Sequence, residues 1–390
     1  MTPAARLQSA IELLDAIIAA ARDAGPAADT VIASWFKARR YAGSGDRRAI
    51  RELVYRAIRR AGERPESGRA AMLGLAEDQP DLRALFDGSP HGPAPIVVDE
   101  PVAPASAVPA WLAPRLAHVD TAALLERAPM DLRVNALKAS RDDVLDELPG
   151  ARPTHFAPTG IRLAEPLPIE QHPLWRDGVV EVQDEGSQLI ALACRAVPGE
   201  TIVDLCAGAG GKTLALAADM GGEGRLLACD TDRARLSRLP PRATRAGAAN
   251  IETRLLDPGR EAEALADLAG HADCVLVDAP CSGTGTWRRN PEARWRLTPD
   301  RLARLTALQA RLIELGATLV RPGGRLIYAV CSLLDAEGAD QIAAFQAAHP
   351  DWRAARPFTA PGTERGAGVL LSPGADGTDG FFVAGLESPC

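Results

Sequence analysis

The sequence predicts an α/β fold: a doubly wound, largely parallel sheet in the C-terminal half, preceded by a small α/β segment and an all-α N-terminal domain. Two observations predict it. From Glu200 onward, apolar runs of strand length alternate with helical stretches, and a glycine-rich turn follows the first of those runs. Residues 4–75 instead carry apolar side chains at three- and four-residue steps, the period of a helix. A chain of 390 residues exceeds what one hydrophobic core usually organises, so two or three domains are expected.

In chain order, Leu7, Ile11, Leu14, Ile18 and Ala21 form one helical stripe, which Gly25-Pro26 ends. A second helix carries Val31, Trp35 and Phe36. A third carries Ile50, Leu53, Val54, Ala57 and Ile58, with Arg47, Arg48, Arg51, Arg56, Arg59 and Arg60 around its polar side, either a solvated face or one that contacts RNA. Between Gly88 and Pro109 six prolines stand among Gly, Ala and Ser without periodicity, which reads as a linker. After Trp111 come a strand at Leu132–Ala136, a helix at Asp142–Leu148, a strand at Val179–Val182 and a helix ending near Cys194. Strands of the large sheet are expected at Ile202–Leu205, Arg225–Cys229, Thr253–Leu256, Cys274–Val277 and Arg325–Val330. The expected division is a helical domain at 1–87, a linker at 88–109, a small α/β subdomain at 110–190 and the large α/β domain at 191–390.

Composition narrows the function classes. With 46% apolar and 24% charged residues the chain is neither fibrous nor wholly disordered. A net charge of −7 argues against a protein that coats nucleic acid. Basic patches remain, because residues 1–70 hold 13 Lys+Arg against 8 Asp+Glu and residues 287–304 hold six arginines against Glu292 and Asp300. Seven cysteines without a Cys-x-x-Cys pair do not make a disulfide scaffold, and six scattered histidines lack metal-ligand spacing, so no metal is expected. Arg6, Glu12 and Asp15 interrupt any signal-peptide core, and no uncharged apolar run approaches the roughly 20 residues that span a bilayer. A cytoplasmic monomer without membrane association is expected.

The stretch Cys206-Ala207-Gly208-Ala209-Gly210-Gly211-Lys212-Thr213 follows the first strand and opens a helix, so its backbone can approach a ligand and its free N–H groups can meet an anion. A nucleoside-triphosphate P-loop needs a glycine with four residues between it and Gly211-Lys212-Thr213, and that position is Cys206. Gly208-x-Gly210 also lacks the last glycine of a dinucleotide fingerprint, since Thr213 stands there. Asp230, 20 residues past Gly210, stands where a carboxylate accepts ribose hydroxyls, Asp257 ends the third strand where adenine would lie, and Asp278 ends the fourth beside the reaction centre. Three acids in register with a glycine-rich first turn favour an adenosyl cofactor.

Asp278-Ala279-Pro280-Cys281 and Val330-Cys331-Ser332 each stand at the end of a strand, so the two cysteines can converge although they are 50 residues apart. The remaining cysteines, Cys194, Cys206, Cys229, Cys274 and Cys390, read as small core residues, Cys206 mattering more for its backbone than for its sulfur. Two thiols beside a methyl donor suit one reaction. Carbon 5 of cytosine is a poor nucleophile until a thiolate adds to carbon 6; the methylated adduct must then lose its carbon-5 proton before the thiolate leaves, and a second thiol can assist. Lys212 and the arginines after Trp287 are candidates for the positive charge that favours a thiolate, and Asp278 for a hydrogen bond to the ring.

At these residues the chain resembles the RNA 5-methylcytosine methyltransferases of the Sun and nucleolar-protein type, which include bacterial ribosomal RNA methyltransferase B. The resemblance runs from about Trp111 to Glu387 through Arg133-Val134-Asn135, Val182-Gln183-Asp184 with Ser187-Gln188, the Cys206-to-Thr213 loop, Asp278-to-Gly285, Arg288-Arg289-Asn290-Pro291, Cys331-Ser332 and Asp379-Gly380-Phe381-Phe382. It implies a class I, Rossmann-like methyltransferase sheet that uses S-adenosyl-L-methionine. It further implies that Cys206 to Lys212, Asp230, Asp257 and Asp278 bind cofactor or target, that Cys331 attacks and that Cys281 aids release. Residues 111–190 would be an RNA-recognition-like subdomain, and the N-terminus a shortened NusB-like domain pointing towards ribosomal RNA. Ala209 and Val330 depart from the Pro and Thr that the family often has. The alternatives are a transfer RNA methyltransferase, an arrangement like that of DNA cytosine methyltransferases with Cys281 as nucleophile, and an inactive ribosome-assembly factor.

Overall fold

The computed structural model describes residues 1–390, which divide into two compact units. The helical unit is Met1–Arg127 with Thr286–Pro299, and the α/β unit is Ala128–Gly285 with Asp300–Cys390.

In the helical unit, α1 (Pro3–Arg22), α2 (Ala28–Ala38), α3 (Ser44–Arg60) and α4 (Gly68–Glu77) share one core. Thr2 starts α1, its hydroxyl accepting from Ala5 N at 3.2 Å, and Pro3 supplies the first turn with a residue that has no N–H to leave unpaired. The expected stripe of α1 is buried, and so are Leu13 and Ile17, which makes this helix the centre against which the other three pack.

The proline-rich stretch expected to link domains belongs to this unit instead. Ala103 N donates to Ala70 O at 3.0 Å, Ser106 N to Arg60 O at 2.9 Å, and Arg60 Nη1 to Ala103 O at 2.7 Å. Proline removes hydrogen bonds within a segment without removing its ability to pair with a neighbour, so composition misread a packed strap as a tether. The compact helical unit runs on to Arg127.

Residues 286–299 were expected in the large domain and also lie in the helical unit. The reason is helix termination. The last carbonyls of a helix lack partners, and Arg294, 1% exposed, donates to those of Ile58 and Arg59 at the end of α3 and to Ala107 O. Trp295 Nε1 donates to Ala61 O at 2.8 Å, and Arg296 donates to Ala20 O in the last turn of α1 and to Gly25 O and Pro26 O beyond it. Cations at helix C-termini are favoured by the helix dipole. These two arginines are therefore engaged by helix ends rather than supplying charge to a thiolate.

The α/β unit begins with β1 (Met130–Val134), α5 (Arg141–Glu147), β2 (Arg152–Pro153), β3 (Gly160–Leu163) and β4 (Val180–Val182), an antiparallel sheet ordered β4-β1-β3-β2. Then follow α6 (Glu185–Ala193), β5 (Thr201–Asp204), α7 (Gly211–Asp219), β6 (Arg225–Asp230), α8 (Leu239–Ala246), β7 (Ile251–Leu255), β8 (Ala272–Asp278), α9 (Pro299–Leu319), β9 (Val320–Val330) and α10 (Ala339–Ala348). Four strands at the C-terminus, β10 (Arg353–Ala355), β11 (Thr363–Arg365), β12 (Gly368–Leu371) and β13 (Phe381–Glu387), complete a sheet ordered β11-β12-β13-β9-β8-β5-β6-β7, with β10 on β13. The run β9-β8-β5-β6-β7 is parallel and β13 is antiparallel to β9. The sequence anticipated the five parallel strands and not the antiparallel additions. The order reverses between β5 and β8, which leaves a crevice beyond their C-terminal ends.

Several residues quoted for the resemblance tie the small sheet to the large one. Within the small-sheet segment buried Arg133 donates to Gln183 Oε1 at 2.7 Å and Asn135 Nδ2 to Gly178 O at 2.9 Å, and across to the large sheet's elements Asn135 Nδ2 donates to Ala246 O on α8 at 2.8 Å and Asp184 accepts from Asp379 N at 3.0 Å. Glu181 accepts from both Arg242 and Arg245 on α8.

Candidate active site

The crevice is a cavity of about 610 Å³ whose walls include Cys206, Asp230, Asp278, Cys281 and Cys331. That size suits a small ligand. Five positions chosen from sequence thus meet in one space, delivered by the ends of four strands or the turns after them: Cys206 by β5, Asp230 by β6, Asp278 and Cys281 by β8, and Cys331 by β9.

The glycine loop owes its path to two left-handed residues, Gly208 at φ 56° and Gly210 at φ 86°. A Cβ on residue 210 would come 2.2 Å from Leu239 Cδ1, so both conformation and space require glycine there. Gly208 N donates to Asp230 Oδ2 at 2.7 Å, and Asp232 N donates to Asp230 Oδ1 at 2.7 Å. Asp230 thus fixes the loop to the end of β6 and keeps lone pairs for a ligand. Ala207 and Ala209 contribute backbone: Ala207 N donates to Cys229 O at 2.8 Å, and Ala209 O accepts from Arg242. Gly211 opens α7, whose first N–H groups have no partner within the helix.

Asp257 is exposed and does not line the cavity, whereas its neighbours Leu256 and Pro258 do. Asp204, 1% exposed beneath the loop, accepts from Thr213 Oγ1 at 2.7 Å, and burial pushes its carboxyl up to about 7.

At the other end of the cavity the sulfurs of Cys281 and Cys331 lie 3.2 Å apart. Parallel pairing of β8 and β9 brings them there, with Ala279 N still bonded to Ala329 O at 2.9 Å. Both side chains are partly exposed, unlike those of Cys194, Cys229 and Cys274, which are buried. The Cys281 thiol is held well above the ordinary range, first by its hydrogen bond with Cys331 and then by burial. Lys212 Nζ bonds Asp278 Oδ2 at 2.7 Å, so the one lysine of the loop reaches the end of β8.

Sequence reasoning missed Thr231, Asp232, Arg235, Glu261 and Arg311, which also line the cavity, and Glu337 behind the two cysteines. Asp232 could have been found from its place two residues after Asp230. Glu261 and Arg311, paired at 2.7 Å across 50 residues, carry no local signal.

Residues 191–387 match the family described as 16S rRNA methyltransferase RsmB/F, and residues 108–170 match the ferredoxin-like domain described as Methyltr_RsmF/B-like. The chain belongs to the RsmB/F family. Among the family's curated relatives, ribosomal RNA small subunit methyltransferase B of Klebsiella pneumoniae is 38% identical over 267 residues, covering 67% of this chain. The chain spans 60% of that relative's length. A solved methyltransferase homologue from Pyrococcus horikoshii superposes with a TM-score of 0.63 at 27% identity, covering 71% of this chain and 94% of its own. The solved protein PH0851 matches all of this chain and 99% of its own at a TM-score of 0.76 and 24% identity, a likeness of fold. The Rossmann-like methyltransferase sheet expected from sequence is thus present. No helix is long and apolar enough to cross a membrane.

Family membership implies S-adenosylmethionine as methyl donor, and the cavity fits it. A buried carboxylate at the end of β6, apolar Leu256 and Pro258 after β7, and the free N–H groups of α7 suit in turn a ribose, an adenine and a carboxylate.

Proposed function

We propose that this protein methylates carbon 5 of a cytosine in RNA, in small-subunit ribosomal RNA, through a covalent bond between Cys331 and carbon 6. The observation that carries the reading is the 3.2 Å approach of two sulfurs in the cavity that also holds Cys206, Asp230 and Asp278. One thiol would suffice for a nucleophile. A second, held protonated at contact distance, suits a cycle in which the first must also be released.

The residues divide the work as follows. The Cys331 thiolate forms a bond to carbon 6, and the electrons of the carbon 5–carbon 6 double bond make carbon 5 nucleophilic. Asp278, at the mouth of β8, is placed for a hydrogen bond to the ring, with Lys212 beside it. Bound S-adenosylmethionine supplies an electrophilic methyl group to carbon 5. A solvent base then takes the carbon-5 proton, the electrons of that C–H bond re-form the double bond and expel Cys331 as a thiolate, and the Cys281 thiol donates a hydrogen bond to the departing sulfur from 3.2 Å. Residues 206–212 and Asp230 hold the cofactor.

The helical unit is the proposed RNA-binding, NusB-like part. Support comes from a cleft of about 650 Å³ between α2 and α3 lined by Lys37, Arg47, Arg48 and Arg51. Neither Lys37 nor Arg48 is in an ion pair, so both are available to phosphates. An RNA of the translation apparatus places the work in the cytoplasm.

Transfer of tritium from labelled S-adenosylmethionine to ribosomal RNA, with bisulfite sequencing of ribosomal and transfer RNA from a deletion strain, tests the reading. We expect one methylcytosine to vanish from 16S RNA; loss from transfer RNA alone would refute the substrate. Cys281→Ala should accumulate a protein–RNA adduct and Cys331→Ala none, whereas the reverse would make Cys281 the nucleophile.

A further inference from the structure

Behind the two cysteines lies a carboxylate that the chemistry above does not use. Glu337 is fully buried, at the end of a short turn (Asp335–Glu337) that leads into α10. Its Oε1 accepts from Ser282 N at 2.8 Å and from Gln309 Nε2 at 3.0 Å. Its Oε2 accepts from Ser332 Oγ at 2.5 Å and from Ser282 Oγ. Ser282 follows Cys281 and Ser332 follows Cys331. One carboxylate therefore takes hydrogen bonds from the residue next to each sulfur.

The surrounding bonds make the same join. Gln309 Nε2 also donates to Pro280 O at 2.9 Å, Gly285 N to Cys331 O at 3.1 Å, and Leu333 N to Thr284 Oγ1 at 2.8 Å. Tyr328 OH donates to the backbone carbonyl of Glu337 at 2.6 Å and so holds the turn against β9. Buried carboxylates are ordinarily paired with a cation. All four partners of this one are neutral donors on or beside the cysteine loops. A packing role alone could be filled by an apolar side chain; four convergent donors are satisfied only by an acceptor with the lone pairs of a carboxylate.

We propose that Glu337 is the positioning residue of the active site, clamping the Cys281 and Cys331 loops so that their sulfurs meet. The negative charge of Glu337 is among the causes that raise the Cys281 thiol, after the Cys331 hydrogen bond, burial and the Cys331 charge. A protonated Cys281 can donate a hydrogen bond to the Cys331 sulfur 3.2 Å away. The clamp follows from geometry alone; what the sulfurs do rests on the cytosine reading.

The test uses the full chain with Glu337→Gln, Glu337→Asp and Glu337→Ala. One arm needs no RNA: the pH dependence of iodoacetamide alkylation, read separately at Cys281 and Cys331 by mass spectrometry. The other measures kcat and KM for methyl transfer to ribosomal RNA. Glu337→Gln keeps the size and removes the charge, so we expect the Cys281 midpoint to fall by about one pH unit and kcat to fall roughly tenfold to a hundredfold with KM little changed. Glu337→Asp, which keeps the charge and shortens the reach, should restore the midpoint and leave kcat reduced. Glu337→Ala should lose both properties, and if it fails to fold the other two variants decide. An unchanged Cys281 midpoint in Glu337→Gln, or a loss of thermal stability and KM together with no change at either thiol, would overturn the proposal. If the wild type transfers no methyl group to cytosine, the catalytic reading fails while the alkylation arm still decides the clamp.

Discussion

Lys212 Nζ and Asp278 Oδ2 are 2.7 Å apart, which ties the first turn of α7 to the end of β8. Burial alone would lower the lysine's pKa, but the charge and hydrogen bond of Asp278 outweigh it and raise it above 10.5. Stabilisation from a raised group is complete below its unfolded value and is lost as pH climbs through the folded one. Lys212→Met should therefore cost roughly 1.5–3 kcal/mol at neutral pH. Denaturant titrations should show that deficit shrinking above pH 10.5.

Asp204 titrates in the opposite sense to a paired carboxylate. Burial raises it from 3.8 to about 7, and its Oδ1 is buried without a partner. The folded state keeps the proton in that window while the unfolded chain loses it, so stability falls as pH rises from 3.8 to 7 and is flat above. Compared with Asp204→Asn, the wild type should lose up to roughly 4 kcal/mol across the window, at about 1.4 kcal/mol per pH unit. Urea titrations at pH 5 and pH 8 check this; an equal gap at both would count against a buried, titrating Asp204.

Gly210→Ala forces a side chain into a left-handed residue and against Leu239. Strain of about 1–3 kcal/mol is expected, and S-adenosylhomocysteine affinity should drop roughly tenfold or more because the loop relaxes away from the ligand. Calorimetric binding alongside a melting curve separates the two effects.

The paired change Lys37→Ala and Arg48→Ala should weaken RNA binding while leaving S-adenosylhomocysteine affinity intact. Two phosphate contacts fewer would make the plot of log affinity against log salt shallower by roughly 1.4–1.8. An unchanged slope would remove RNA from that cleft.

Much of the large sheet was legible because a buried parallel strand announces itself locally. Ile202–Leu205 was expected and Thr201–Asp204 found; Cys274–Val277 was expected and Ala272–Asp278 found. The strands β10 to β13 were not foreseen, since short antiparallel pieces are defined by the strand they join more than by their own pattern. Asp230 was legible from its spacing to the glycine loop. Glu337 was not, because an acid opening a helix looks like one that complements the helix dipole.

By itself the sequence determined what lies within a few residues of chain: the β-α rhythm, the glycines that permit left-handed turns and the presence of two Cys motifs at strand ends. Only the tertiary structure decided that Cys281 and Cys331 touch, that Arg294 caps α3 from 235 residues away and that one carboxylate serves both cysteine loops. Local conformational preference acts over a turn or two of chain, whereas these contacts arise from strand order and burial, which bring distant residues together without leaving a mark on their neighbours.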